Sequence, residues 1–432
     1  MSESMDNETL LKNTLQQMRA AGFDRAQIGL SESDKHEFNI HHGEIKLLRT
    51  GLNKSLNLTG ISQQRKASLS INRLDALAIE EAIEQLVQMA EGAQADAAYD
   101  IAPAQDAGEF STGPIKADYD TMYDRLQAFA DYCETTYPTT ILEEATLDFT
   151  ASRSRVINSN GIDFTLHNGM YGFVAMFTSK DGEATSSFNY SGYSAQNLDA
   201  PLWQKGHMDQ LLAQSAEQVH TQQIPEKFSG PVIITPHCLE DFTGFLEDQI
   251  STGPLIADTS IYKGKVGQQV ASDKLTIHCK PLSDQLADGY WLTGDGIRAQ
   301  DLTLVENGKL NSYLLGIYGA NKTGLPRSIN DGGATIIEPG NTELAAMISG
   351  IEKGLLLCRF SGGSPNDKGD FSGVAKNSYY IENGKIAYAV SETMVSGNMA
   401  QLLMDIDQVS SETVDFGSSI VPWVRVKELT IS

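Results

Sequence analysis

Six residues near the start of the chain, His36-Glu37-Phe38-Asn39-Ile40-His41, spell H-E-x-x-x-H. A zinc peptidase uses such a set: the imidazoles hold the ion, and the carboxylate takes a proton from bound water. The chemistry requires both imidazoles to converge on one point about 2 Å away. Here the surrounding sequence alternates polar and apolar residues, the period of a strand. Residues five apart on a strand point to opposite faces. His36 and His41 are therefore expected on opposite sides of a sheet, unable to share an ion.

Other chemistry-bearing types give no firmer pattern. His167, His207, His220, His237 and His278 are scattered without ligand spacing. His278 and Cys279 are adjacent and would diverge on a strand, while His237 and Cys238 open a helical stretch. There is no G-x-S-x-G nucleophile elbow, and Ser372 in Gly369-Asp370-Phe371-Ser372-Gly373 has the wrong spacing for one. The glycines match neither a phosphate loop nor a dinucleotide fingerprint. Residue types and spacing alone describe a soluble α+β protein with no visible active site.

The elements that would position any site are clearer. Leu10, Leu11, Leu15 and Met18 recur at helical spacing over 7–21, and Gly22 stops that helix. From 25 to 72 the period is two, through Phe38 and Ile40, Leu56 and Leu58, Leu69 and Ile71, which predicts antiparallel strands. A helix over 73–92 has Asp75 as a cap, 93–117 reads as a surface loop, and a helix over 119–137 stops at Pro138. Strands fill 139–195, with corners at Asn160-Gly161 and Asp181-Gly182, and a helix over 206–221 follows. The segment 222–231 reads as a boundary, followed by a buried strand at 232–236 and a helix over 237–251. Beyond it, Glu-Asn-Gly-Lys at 306–309 and again at 382–385 marks two hairpins in a β-rich half that could close into a barrel. The division expected is 1–225 for an N-terminal α+β domain with an antiparallel sheet and helices, and 226–432 for a β-rich, barrel-like C-terminal domain.

Composition limits the partners. A formal net charge of −24 repels phosphate backbones and anionic headgroups, so neither nucleic acid nor membrane is expected. Cys133, Cys238, Cys279 and Cys358 are far apart, and each reads as a small buried apolar residue rather than half of a disulfide. With no leader-like N-terminus and no apolar run of about 18 residues, a cytoplasmic location is expected.

The C-terminal region carries a family resemblance. Gly369-Asp370-Phe371-Ser372, Tyr380-Ile381-Glu382-Asn383-Gly384-Lys385-Ile386, Val390-Ser391-Glu392 and Gly397-Asn398-Met399 resemble, in order, the hallmark segments of the TldD/PmbA family on its PmbA/TldE side. Ser260 with Lys265-Val266-Gly267 and Ala271-Ser272, Asn158-Ser159-Asn160-Gly161, and Gly417-Ser418 with Pro422 fit further family positions. The resemblance implies a two-domain α+β fold. It implies a zinc metallopeptidase system acting on small unfolded peptides, built from a TldD-like chain and a PmbA/TldE-like chain. The label "modulator of DNA gyrase" attaches to the same family. On the TldD side an H-E-x-x-x-H motif lies in the helix that opens the second domain, with a late cysteine as third ligand. Aligned on that pattern, this chain has Gly244 and Phe245 for the His-Glu pair, Gln249 for the second histidine, and Asp415–Phe416 near the cysteine position. The resemblance thus implies a chain with no metal ligand and no catalytic residue of its own, the zinc belonging to a TldD-like partner. Asp370, Ser372, Glu392 and Asn398 are the residues it nominates to line the peptide cavity. A self-sufficient homodimeric metallopeptidase and a non-enzymatic peptide-binding protein are the alternatives.

Overall fold

The structure, a computed structural model, describes residues 2–41, 44–391 and 393–432. Its first sheet is built from β1 Arg25–His41, β2 Glu44–Ser62, β3 Arg65–Ile71, β4 Gly108–Thr112, β5 Thr140–Asn158, β6 Asp163–Asp181, β7 Ala184–Thr185 and β8 Asn189–Ala195. The order is β3-β2-β1-β5-β6-β4, with β7 and β8 also pairing to β6. Four of these strands run 17 to 19 residues, well beyond the usual five or six or so.

Such long strands need more than one helix layer to cover a face. Helices α1 Ser2–Ala20 and α2 Ala76–Gly92 cover one end, over a core that includes Met18, Ile28, Leu30, Leu58 and Leu86. Helices α3 Tyr119–Thr136 and α4 Met208–Glu217 cover the other, over Phe38, Ile40, Phe129, Phe149 and Phe173. The period of two makes this possible: Ile28, Leu30, Phe38 and Ile40 all lie on one face of β1. Glu32, Asp34 and His36 lie between the two groups on that same face.

Local signals act as the sequence suggests. The Asp75 carboxylate accepts from the Ala78 N–H at 3.1 Å and caps α2. Gly161 and Gly182 take φ of 104° and 60° at the two hairpin corners. Within 93–117 the structure differs from the loop expected there: β4 pairs parallel with β6. Its short alternation is not bracketed by a hairpin turn, because a parallel partner lies far along the chain.

The second sheet comprises β9 Phe228–Ile234, β10 Ile277–Cys279, β11 Leu302–Glu306, β12 Lys309–Leu310, β13 Thr335–Ile337, β14 Lys353–Leu357, β15 Arg359–Ser361, β16 Asp370–Lys376, β17 Tyr379–Glu382, β18 Lys385–Ala389, β19 Thr393–Asn398, β20 Ile406–Asp415 and β21 Ser419–Ile431. Both predicted hairpins form. Asn307 and Gly308 (φ 47° and 76°), like Asn383 and Gly384 (51° and 74°), supply the two positive φ values of a type I′ turn. The barrel does not. Pairing runs β12-β11-β10-β13-β21-β9-β14-β17-β18, and its two end strands do not meet. Helix α5 Pro236–Gln249 instead packs Cys238, Leu239, Phe242 and Leu246 into the large core of this sheet. The apolar face is thus buried by a helix rather than by closure.

Candidate functional site

Helix α5 begins where β9 ends. The Thr235 N–H donates to the Leu357 carbonyl, and its hydroxyl donates to the Cys358 carbonyl, each at 3.0 Å, which ties the helix start to β14. Pro236 then opens the first turn. With one side of α5 in the core, His237, Glu240, Asp241, Gly244 and Glu247 form a polar stripe along its other edge at i, i+3, i+4, i+7 and i+10. Strand β8 of the first sheet, β15, and the turn before β21 all approach this stripe.

His237 lies against the first sheet. Its Nε2 is 3.1 Å from the Ser191 hydroxyl, which donates to the Gly206 carbonyl at 2.6 Å. Ser191 therefore gives its proton away from His237, so the pair is not poised as nucleophile and base. His207 stacks on His237 at 5.9 Å between ring centroids, Trp423 meets His207 edge-on at 5.2 Å, and Phe416 meets His237 edge-on at 4.8 Å. Both Nδ1 atoms are buried without a hydrogen-bond partner. Burial lowers the pKa of His207 to about 4. Burial, then the nearby Arg359 charge, lowers that of His237 to about 3.

The carboxylates of the stripe shift upward. Burial raises Glu240, against a hydrogen bond from the Ser419 hydroxyl. It raises Asp241, against the attraction of Arg359. It raises Glu247, against bonds from the Gly333 N–H and Thr335. Glu240 and Asp241 are nevertheless open to solvent, because each lines a groove: protein surrounds them on most sides and water reaches them from one. Arg359 donates from Nε to Asn189 Oδ1 at 2.7 Å, and its guanidinium lies 3.6 Å from the centre of the Tyr190 ring. A cavity of about 220 Å³ opens between His237, Asp241, Arg359, Phe188 and Tyr190. A second, of about 400 Å³, opens beside Glu240, Phe416 and Val174. Val174, Phe188 and Tyr190 border these cavities, and with Met176 they are 36–58% exposed, an apolar strip on the surface of the first sheet.

The positions that the resemblance marks for metal ligands lie on and beside α5. Gly244 is exposed, with open space where a Cβ would project. Phe245 is buried in the core. Gln249 is buried, and its side-chain oxygen accepts from the Ile261 N–H at 3.0 Å. Asp415 accepts from the Gly417 N–H at 2.7 Å. Among the described residues, no group of three or more His, Cys, Asp or Glu side chains is placed to hold a metal ion.

The residues nominated from sequence lie elsewhere on the second sheet. Asp370 and Asn398 face each other across β16 and β19, and Asn398 Nδ2 donates to Asp370 Oδ1 at 2.9 Å. The Asn398 oxygen also accepts from the Gln401 N–H at 3.2 Å and caps the helix Met399–Met404. Ser372 is exposed and pairs with Ser396. Glu392 lies outside the described residues. His36 sits within β1, 2.9 Å from Asp34 and 2.8 Å from the Tyr119 hydroxyl. Sequence reading noted His237 only as one of the scattered histidines at the start of a helical stretch, and did not single out Glu240, Asp241 or Arg359. The helical spacing of the first three was the available signal, and for Arg359 there was none.

Comparison with known proteins gives a consistent picture. Residues 227–432 match the family profile of the PmbA/TldA metallopeptidase C-terminal domain. The chain is 23% identical over 452 aligned positions to metalloprotease PmbA of Escherichia coli O157:H7, covering 96% of this chain and 94% of that one. It is 27% identical to a metalloprotease PmbA homolog of Haemophilus influenzae, and there the match spans 61% of the relative's length. In fold it is similar to TldE from Thermococcus kodakarensis, with a TM-score of 0.85 at 19% identity over 98% of this chain and 100% of the other. A candidate modulator of DNA gyrase from Bacteroides thetaiotaomicron gives 0.88 at 21% identity, with 99% of each chain covered.

Proposed function

The chain belongs to the TldD/PmbA family, and from that premise we propose that it is a PmbA/TldE-like subunit of a TldD-type zinc metallopeptidase system acting on small unfolded peptides. In this reading the zinc is carried by a TldD-like partner, and this chain supplies part of the wall along which the peptide lies. The observation that carries the reading is α5. At the family's ligand positions it has no side chain at Gly244, a core ring at Phe245, and an amide already engaged by Ile261 at Gln249. Such a set does not fit zinc, which takes imidazole, thiolate or carboxylate.

The groove and its border support the rest. The α5 stripe sets His237, Glu240 and Asp241 along grooves, where they can hydrogen-bond the amides of a peptide main chain. The strip from Val174 to Tyr190 is the kind of surface that a second chain covers. The acidic surface argues against nucleic acid as a direct partner. Four buried, free cysteines agree with a reducing, cytoplasmic setting. Among the described residues no helix is long and apolar enough to cross a membrane.

The test is reconstitution. The purified chain is assayed for bound divalent metal and for hydrolysis of an unfolded peptide, alone and mixed with a TldD-like chain. The expected outcome is metal well below one equivalent, no hydrolysis alone, and hydrolysis after mixing that weakens in the double variant Phe188→Ser, Tyr190→Ser. A full equivalent of metal, with chelator-sensitive hydrolysis by this chain alone, would overturn the reading in favour of a self-sufficient homodimer.

A further inference from the structure

The smaller of the two cavities beside α5 is built around a pair of like charges. Strands β15 and β16 run antiparallel and set Arg359 directly opposite Lys376. Cross-strand partners project from one face, and both side chains line this cavity of about 220 Å³. Two cations so placed repel each other. The chain has a net charge of −24 and acids in plenty. Yet among the described residues no carboxylate lies within ion-pair distance of either cation.

Arg359 is half-buried and fixed by the protein itself. Its Nε donates to Asn189 Oδ1 at 2.7 Å, one Nη donates to the Tyr190 carbonyl, and the guanidinium lies over the Tyr190 ring. The other Nη makes no hydrogen bond within the described residues. Ser361, two residues further along β15, projects to the same side as Arg359 and also lines the cavity. The carboxylate on the walls is Asp241 of α5, which attracts Arg359 from beyond ion-pair distance. His237 is neutral at pH 7. Among the described residues the walls therefore carry two cations against one carboxylate, an excess of one positive charge. Phe188 and Tyr190, stacked with 6.2 Å between ring centroids, form an apolar flank.

We propose that this cavity binds a carboxylate of the peptide that the chain helps to hold, gripped between Arg359 and Lys376. The class of ligand rests on the peptide-wall reading above; the charge preference rests on this cavity. The free Nη supplies charge-assisted donors to a carboxylate oxygen, and the lysine adds a point charge beside it. A single negative charge balances the excess on the walls. A phosphate dianion would instead bring a surplus of negative charge up to Asp241. The carboxylate has two possible sources, an acidic side chain within the peptide and the peptide's own C-terminus, and the chemistry of recognition is the same for both.

The test is titration calorimetry of the purified chain at neutral pH with three peptides: N-acetyl-leucyl-glutamyl-leucinamide, its glutaminyl counterpart, and that counterpart as the free acid. At least one of the two acidic peptides is expected to bind on the order of tenfold more tightly than the neutral one, and the one that does so identifies the source of the carboxylate. Lys376→Met, at an exposed position, should remove most of that advantage and leave the neutral peptide's affinity unchanged. Arg359→Met should abolish the advantage. Asp241→Asn should act in the opposite direction and strengthen the acidic peptides, because it removes the competing charge. Equal binding of all three peptides, no binding of any, or an acid preference that survives both cation substitutions would overturn the proposal. Inorganic phosphate binding more tightly than either acidic peptide would overturn the choice of a carboxylate. The measurement uses this chain alone and so separates the two readings. An acid preference here with no hydrolysis after mixing with a TldD-like chain would remove the partnership and leave the site; hydrolysis after mixing, with no acid preference, would do the reverse.

Discussion

Acidification should loosen the chain through His207 and His237, by an amount that can be worked out. Both are held neutral in the folded state, at about 4 and about 3. An unfolded histidine takes its proton near pH 6.5. Because the folded values are lowered, the contribution of each ring is fully present above 6.5 and is lost as pH falls toward the folded value. At pH 5 the unfolded ring is about 1.5 units past its midpoint while the folded ring is still neutral, so each histidine should remove about 2 kcal/mol between pH 7 and pH 5. That figure depends on the unfolded titration and not on how far below 5 the folded values lie. The surrounding groups oppose one another. Arg359 and the second ring disfavour a charge on His237, while Asp209 favours one on His207. Glu240, Asp241 and Glu247, all raised, act in the opposite direction, because their contribution is present at low pH and lost as pH rises. The measurement is therefore a difference: urea unfolding at pH 7 and pH 5 for the natural chain and for His207→Gln, His237→Gln and the pair. Each single variant should lose about 2 kcal/mol less on acidification than the natural chain. Equal losses in all four proteins would refute the burial argument for these rings.

Two further outcomes follow from packing and backbone. Phe242 is fully buried, with the rings of Phe360 and Phe371 each 5.6 Å away, so Phe242→Ala should cost about 3–5 kcal/mol in the same unfolding measurement. Gly384→Ala places a Cβ 2.8 Å from the Ser349 carbonyl at φ 74°, whereas Gly182→Ala meets open space at φ 60°. The second should cost about 1–2 kcal/mol for the torsion alone, and the first more than the second; equal midpoints would show that the Ser349 segment yields freely.

Features with a local cause were legible in the sequence. Asp75 caps α2 because a carboxylate three residues ahead of a free N–H is all that the cap requires. Asn-Gly at 307–308 and 383–384 turns the chain because both residues accept positive φ. The H-E-x-x-x-H string falls on a strand, as its alternation predicts, and that period puts its two histidines on opposite faces. Features made by distant partners were not legible. β4 is a strand only because β6 lies beside it. The second sheet stays open because α5 covers the face that closure would have buried, which no run of short strands announces. Arg359 joins the groove by reaching Asn189, 170 residues away in sequence.

The α5 groove also departs from what stability alone would select. The inner side of the helix is an ordinary apolar face, with Cys238, Leu239, Phe242 and Leu246 all fully buried. Its outer edge holds a histidine and three carboxyls in places where burial disfavours their charge, and desolvating such groups costs free energy that no partner here fully returns. Departures of this kind concentrate at functional sites. A histidine and carboxyls lining a groove offer hydrogen-bond partners to a peptide backbone.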